Sequence, residues 1–189
     1  MASNRHLGRI IGLQTLYEQD FRRGAGDKDL DLAAILARNI GRYEGTVEDK
    51  GFIERLVHGV DTKAEELDVL LQPIAPEWPI DQIARMDRVI LRMGLYELLH
   101  EPDVPPKVVI NEAVELAKAF GSENSSKFIN GVLGTALRQR DGDDSDPKPV
   151  AGSDAKATDT TDATTATDDA VAPVPDKEVT KLEDLQKEG

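Results

Sequence analysis

The chain has 189 residues, with 23 Lys+Arg against 36 Asp+Glu and a formal net charge of −13. The absence of cysteine excludes a disulfide scaffold, a thiolate zinc site, an iron–sulfur cluster and a cysteine nucleophile. No apolar run approaches the ~20 residues of a membrane span, and Met1-Ala2-Ser3-Asn4-Arg5 leads into no signal-peptide core, so the expected compartment is the cytoplasm.

Helical spacing dominates the first 140 residues, and no stretch sustains the alternation of a strand. Between Asn4 and Arg23, Leu7, Ile10, Leu13, Tyr17 and Phe21 recur every three or four residues. Asn4 is placed to cap this helix, and Gly24-Ala25-Gly26 ends it. A second helix spans 31–40, with Leu32, Ile35, Leu36 and Ile40 on one face. A long segment over 47–71 carries Phe52, Leu56, Val60, Leu67 and Leu71, and Pro73 and Pro76 close it. Pro79 suits the first turn of a helix through Ile80, Ile83 and Met86. The next helix, 87–99, is apolar over a wide arc and is expected at the centre of the fold. Pro105 and Pro106 open a helix that runs to Phe120 and stops at Gly121. A last helix starts at Ser122 or Glu123 and reaches about Arg140. Six or seven helices without a strand predict an all-α bundle over residues 1–140.

Charge divides the chain at the same place. Residues 141–189 hold 14 acidic and 5 basic residues, and every Phe, Tyr and Trp lies at or before Phe128. A segment built from Ala, Thr, Asp, Pro and Gly buries too little apolar surface to offset the entropy of ordering it, so an acidic disordered tail is expected. Within it, Val179, Leu182 and Leu185 have the spacing of a short transient helix. Asp141 to Asp146 mimics a calcium loop but lacks its glycine and its closing glutamate.

Signs of catalysis are absent. His6, His58 and His100 have no second ligand at zinc-like spacing, Ser125 and Ser126 have no glycine-flanked elbow, and no glycine-rich loop follows a strand. A binding module is expected rather than an enzyme, with no cofactor and no metal. Two basic features point to its ligand. Arg5, His6 and Arg9 open the first helix, where positive charge opposes the helix dipole; Arg5 and Arg9, four residues apart, share a face that suits phosphates. Harmless terminal arginines explain the same pattern. Lys107, Lys118, Lys127, Arg138 and Arg140 surround the last two helices; Phe128 beside Lys127 suits base stacking, although its periodicity with Ile129 and Val132 supports a place in the core.

Several blocks, in order, resemble the NusB family of transcription antitermination factors. They are Gln14-Thr15-Leu16-Tyr17, then 84–92 leading into Gly94-Leu95-Tyr96-Glu97-Leu98, then 103–118, Phe120-Gly121-Ser122-Glu123 and Lys127-Phe128-Ile129-Asn130-Gly131-Val132-Leu133. The resemblance covers about 4–137 and implies two packed three-helix subdomains. It implies binding of boxA-type RNA from ribosomal RNA leaders, a heterodimer with the ribosomal protein NusE, and a place in the RNA polymerase antitermination complex. The family's arginine-rich turn falls on Arg5, His6 and Arg9, and here it is thin. Its segment after Phe-Gly falls on 123–128, with Asn124 where members commonly carry Asp. Lys118, Lys127, Tyr17 and Phe128 are the further RNA candidates, the two aromatics being candidates for the core as well. Asp81 and Asp87 are the partner-facing acids, Asp87 having an alternative reading as a helix cap. A homodimer that hides the RNA face also occurs in the family. A fused ribosomal RNA cytosine methyltransferase is not expected, because no cofactor loop follows, but a stand-alone relative of the RNA-binding domain of those enzymes is an alternative. A protein-only scaffold is the alternative from another class. The acidic tail lies outside the resemblance, and its charge suggests competition with RNA for the basic surface.

Overall fold

The structure is a computed structural model that describes residues 2–142; the acidic segment from 143 onward, with the transient helix expected near its end, lies outside the described residues. Seven α-helices and one 3-10 turn account for the fold, with no strand among the described residues: α1 (Ala2–Gly24), α2 (Leu32–Gly41), α3 (Lys50–Thr62), α4 (Ala64–Leu71), the turn Ile80–Gln82, α5 (Arg85–His100), α6 (Pro106–Phe120) and α7 (Ser125–Arg140). One unit packs α1 against α2 and α3; the other packs α5, α6 and α7 together. α5 also lies against α1, α3 and α4, so its wide apolar arc is used on both sides, as the sequence led us to expect.

Local chemistry sets the boundaries. Asp31 caps α2 by accepting the Ala34 N–H at 3.1 Å, and Asp49 caps α3 by accepting that of Phe52 at 2.9 Å. Asp49 therefore starts α3 later than the apolar pattern does. The segment expected as one helix over 47–71 is two, because the Lys63 backbone (φ −104°, ψ 12°) leaves helical geometry between Thr62 and Ala64. Asn4 does not cap α1; it lies inside that helix and accepts the Glu48 N–H at 3.1 Å, tying α1 to the approach of α3. Pro79 opens only the 3-10 turn, and Met86 belongs to α5.

The core is aliphatic, and Phe52 is its one fully buried aromatic among the described residues. Leu, Ile and Val from both units form a single apolar cluster. Close approach of α5 to α7 requires Gly94: a side-chain carbon there would lie 2.6 Å from Leu133 Cδ1.

Candidate nucleic-acid interface

Charge at the start of α1 is sorted by burial. Arg5 is partly exposed, 3.8 Å from Asp49, with its guanidinium 5.3 Å from the Phe52 ring centroid. Arg9, one turn on, is buried with 3% of its side chain exposed. Its Nε and Nη2 donate to the Glu97 carboxylate at 2.9 and 2.6 Å, and it also lies over Phe52. Glu97 is equally buried, and this desolvation pushes its carboxyl above the ordinary glutamate range despite Arg9 opposing it. Against the expectation that Arg5 and Arg9 reach neighbouring phosphates together, only Arg5 of the pair is open to solvent. Arg9 is closed to solvent because a charge inside this core needs a partner, and Glu97 of α5 supplies one.

His6 Nδ1 lies 2.7 Å from Glu112 Oε2 on α6, and the same oxygen is 3.5 Å from Arg9 Nη1. Further along, Tyr17 of α1 and Phe120 of α6 line one cavity of about 300 Å³. The two helices thus run in the same direction, joined by long side chains rather than by close backbone packing. Phe120, at the end of the apolar stripe of α6, projects past the core and is 40% exposed. Phe128, the aromatic that sequence reasoning singled out, is half-buried and packs against the core. Phe120 carried one available signal: it is the last residue of a helix that Gly121 terminates.

The turn from α6 to α7 is built from short polar side chains. Ser125 Oγ accepts the Ser122 N–H at 2.8 Å and donates to Asp87 Oδ2 at 2.9 Å. A side-chain carbon at Gly121 would lie 2.5 Å from Ser125 Cβ and 2.6 Å from the Ala117 carbonyl oxygen, so only glycine fits. The helix consequently starts at Ser125, later than the Ser122 or Glu123 expected. Asp87 is neither a cap nor a partner-facing acid: Ala84 holds the cap position of α5, and Asp87 is buried beneath the turn. Asp81 remains exposed in the 3-10 turn.

The turn presents Asn124 and Lys127 to solvent, Lys127 having no ion pair among the described residues. Lys118, near the end of α6, is exposed and pairs with Glu115 at 2.7 Å. Such a surface pair contributes at most about 1 kcal/mol, so it holds the lysine only weakly. Arg5, His6, Tyr17, Lys118, Asn124 and Lys127 therefore belong to α1, α6 and the start of α7, while Arg9, Asp87 and Phe128 lie beneath them. Among the described residues, no group of three or more His, Asp or Glu is arranged to hold a metal ion, and no helix is long and apolar enough to cross a membrane.

Residues 6–138 match the model of the NusB family. The transcription antitermination protein NusB of Chloroflexus aggregans is 42% identical over 139 residues, covering 72% of this chain and 89% of that protein. The solved structure of T. maritima NusB is 33% identical, with a TM-score of 0.64 over 71% of this chain and 91% of its own. A chain from a structure of the antitermination factors NusB and NusE in complex with dsRNA shares the fold at 23% identity and a TM-score of 0.63, covering 74% of this chain and 99% of its own. With these relatives and this helical order, the chain belongs to the NusB family.

Proposed function

We propose that this protein is a non-catalytic transcription antitermination factor that binds boxA-type RNA of ribosomal RNA leaders together with NusE. The observation that carries this reading is the run of donors along α1, α6 and the start of α7 in a protein of the NusB family. Arg5 and His6 at one end, and Lys118, Asn124 and Lys127 at the other, offer hydrogen-bond donors suited to a phosphate chain. Tyr17 and Phe120, which line one cavity, add aromatic surface to this set. Asn124 supplies a neutral amide that does not repel phosphate, which offsets part of the loss from a thin arginine turn.

A NusB chain of this fold occurs in a complex with NusE and dsRNA, and we extend that partnership to this protein. Asp81 is the exposed acid assigned to the basic partner. We place these functions in residues 1–140, with 141–189 as a separate acidic segment, and assign the protein to the cytoplasm, where transcription and ribosomal proteins meet. The test is fluorescence anisotropy of a labelled boxA-type RNA and a scrambled control, with and without NusE. Selective binding that strengthens with NusE is the expected result. Absence of selective binding in both conditions returns the protein to the scaffold reading.

A further inference from the structure

We propose that the cavity between α1, α2, the start of α5 and the end of α6 receives one nucleobase carrying an exocyclic amine, from RNA bound along the adjacent strip. This rests on the RNA-binding reading above. The cavity, of about 300 Å³, falls at the lower end of the range for small-ligand sites. Tyr17, Met86 and Phe120 give it aromatic and soft apolar walls. Phe120 presents a large apolar surface to water there, which a stacked base would cover.

Two amides give the cavity its selectivity. The Asn39 side chain, 1% exposed, donates its amide nitrogen to Thr15 Oγ1 at 3.1 Å. Gln14 donates its own to the Tyr43 hydroxyl at 3.4 Å. Both residues line the cavity, and each retains a buried amide oxygen with no hydrogen-bond donor. Buried acceptors without donors are uncommon and costly. Terminal amide torsions are soft, and turning either amide, in exchange for its present hydrogen bond, would bring its oxygen toward the cavity that both residues line. An incoming N–H₂ group would satisfy them; adenine, cytosine and guanine have one and uracil does not.

Arg42 supplies the charge complement. It is exposed on the cavity wall and forms no ion pair among the described residues, which suits the phosphate attached to the base. Glu18 also lines the cavity, but Arg38 and Arg22 pair with it, so its repulsion toward phosphate is muted.

Two measurements on the full chain test the proposal. In the first, the ¹⁵N-labelled protein is titrated with AMP, CMP, GMP and UMP and followed by NMR. The three amine-bearing nucleotides should move the amide signals of the cavity residues, and UMP should leave them in place. In the second, boxA-type RNA affinity is compared for the wild type, Phe120→Ala and Arg42→Ala, with circular dichroism as the check on folding. Each exposed-site variant should weaken RNA binding about fivefold or more. Unmoved cavity signals with wild-type RNA affinity in both variants overturn the pocket while leaving the RNA-binding reading intact. Loss of NusE binding at unchanged RNA affinity assigns the cavity to a protein side chain and overturns it too. A wild-type protein that binds no RNA overturns the reading and the pocket together.

Discussion

Two arginine–carboxylate clusters fasten α1 to α5, one toward each end of α1, and they are built on opposite plans. Toward the N-terminus, the Glu97 carboxylate meets a single arginine in a nearly dry setting, Arg9, which also reaches Glu112 at 3.5 Å. Toward the C-terminus, one carboxylate meets three arginines in a wetter setting: Asp20 lies 2.9 Å from Arg85, 2.9 Å from Arg88 and 3.4 Å from Arg92. Arg92 is shared with Asp68 at 2.6 Å. Burial works to raise the Asp20 carboxyl, but the Arg88 hydrogen bond and the three positive charges outweigh it and hold Asp20 below its ordinary range. At Glu97 burial wins and the shift is upward. The sign of each shift follows from how many cations face the carboxylate and how much water remains. The same contrast decides which arginines RNA can reach: those in either cluster are committed to carboxylates, whereas Arg5 has only the distant Asp49.

Breaking the drier cluster should have the larger effect. Glu97→Ala leaves the Arg9 guanidinium buried without its main partner, and a loss of about 3–5 kcal/mol is expected, a fall in Tm on the order of 10 °C by calorimetry. Replacing both partners, as Arg9→Met with Glu97→Leu, should recover most of that loss, because the cost lies in the stranded charge. Asp20→Asn should cost less, about 2 kcal/mol in urea unfolding, since the arginines there keep partial access to water and Arg92 keeps Asp68. The surface pair Lys118–Glu115 provides the lower bound: Lys118→Ala should change stability by less than about 1 kcal/mol.

Acid titration separates the two clusters by sign. The contribution of Asp20 is present above its unfolded value of 3.8 and is lost as pH falls through the lower folded value. That of Glu97 is fully present below its unfolded value of 4.5 and is lost as pH rises through the higher folded value. Denaturant unfolding from pH 3 to 7 should therefore show Asp20→Asn losing less stability than the wild type below pH 3.8. It should also show Glu97→Gln lacking the wild-type decline as pH rises above 4.5.

Most of the helices were legible because their apolar residues repeat at helical spacing and prolines or glycines punctuate them. The break at Lys63 was not, since Thr62-Lys63-Ala64 contains no proline or glycine, and the mild cost of one β-branched Thr does not mark a helix end. Burial of charge was the harder matter. Arg9 and Arg5 share a helix face in the sequence, yet a partner 88 residues away takes one into the core. Asp87 has the spacing of a surface acid until Ser125, 38 residues on, folds over it. Phe120 and Phe128 have equal claims by pattern; only the position of the α6 end leaves the first in solvent and the second against the core. Arg5 and Lys127 stay at the surface because no buried carboxylate draws them inward: Arg5 meets only the half-exposed Asp49, and Lys127 has no ion pair among the described residues.

The most direct test of RNA binding along α1, α6 and the start of α7 is the salt dependence of boxA-type RNA affinity, with NusE present, for the wild type and for Arg5→Ala combined with Lys127→Ala. Each phosphate contact removed should reduce the slope of log affinity against log salt by about one, so the double variant should fall by about two, with Tm unchanged. An unchanged slope and affinity in the double variant would contradict the assignment and move the RNA to another face of the protein.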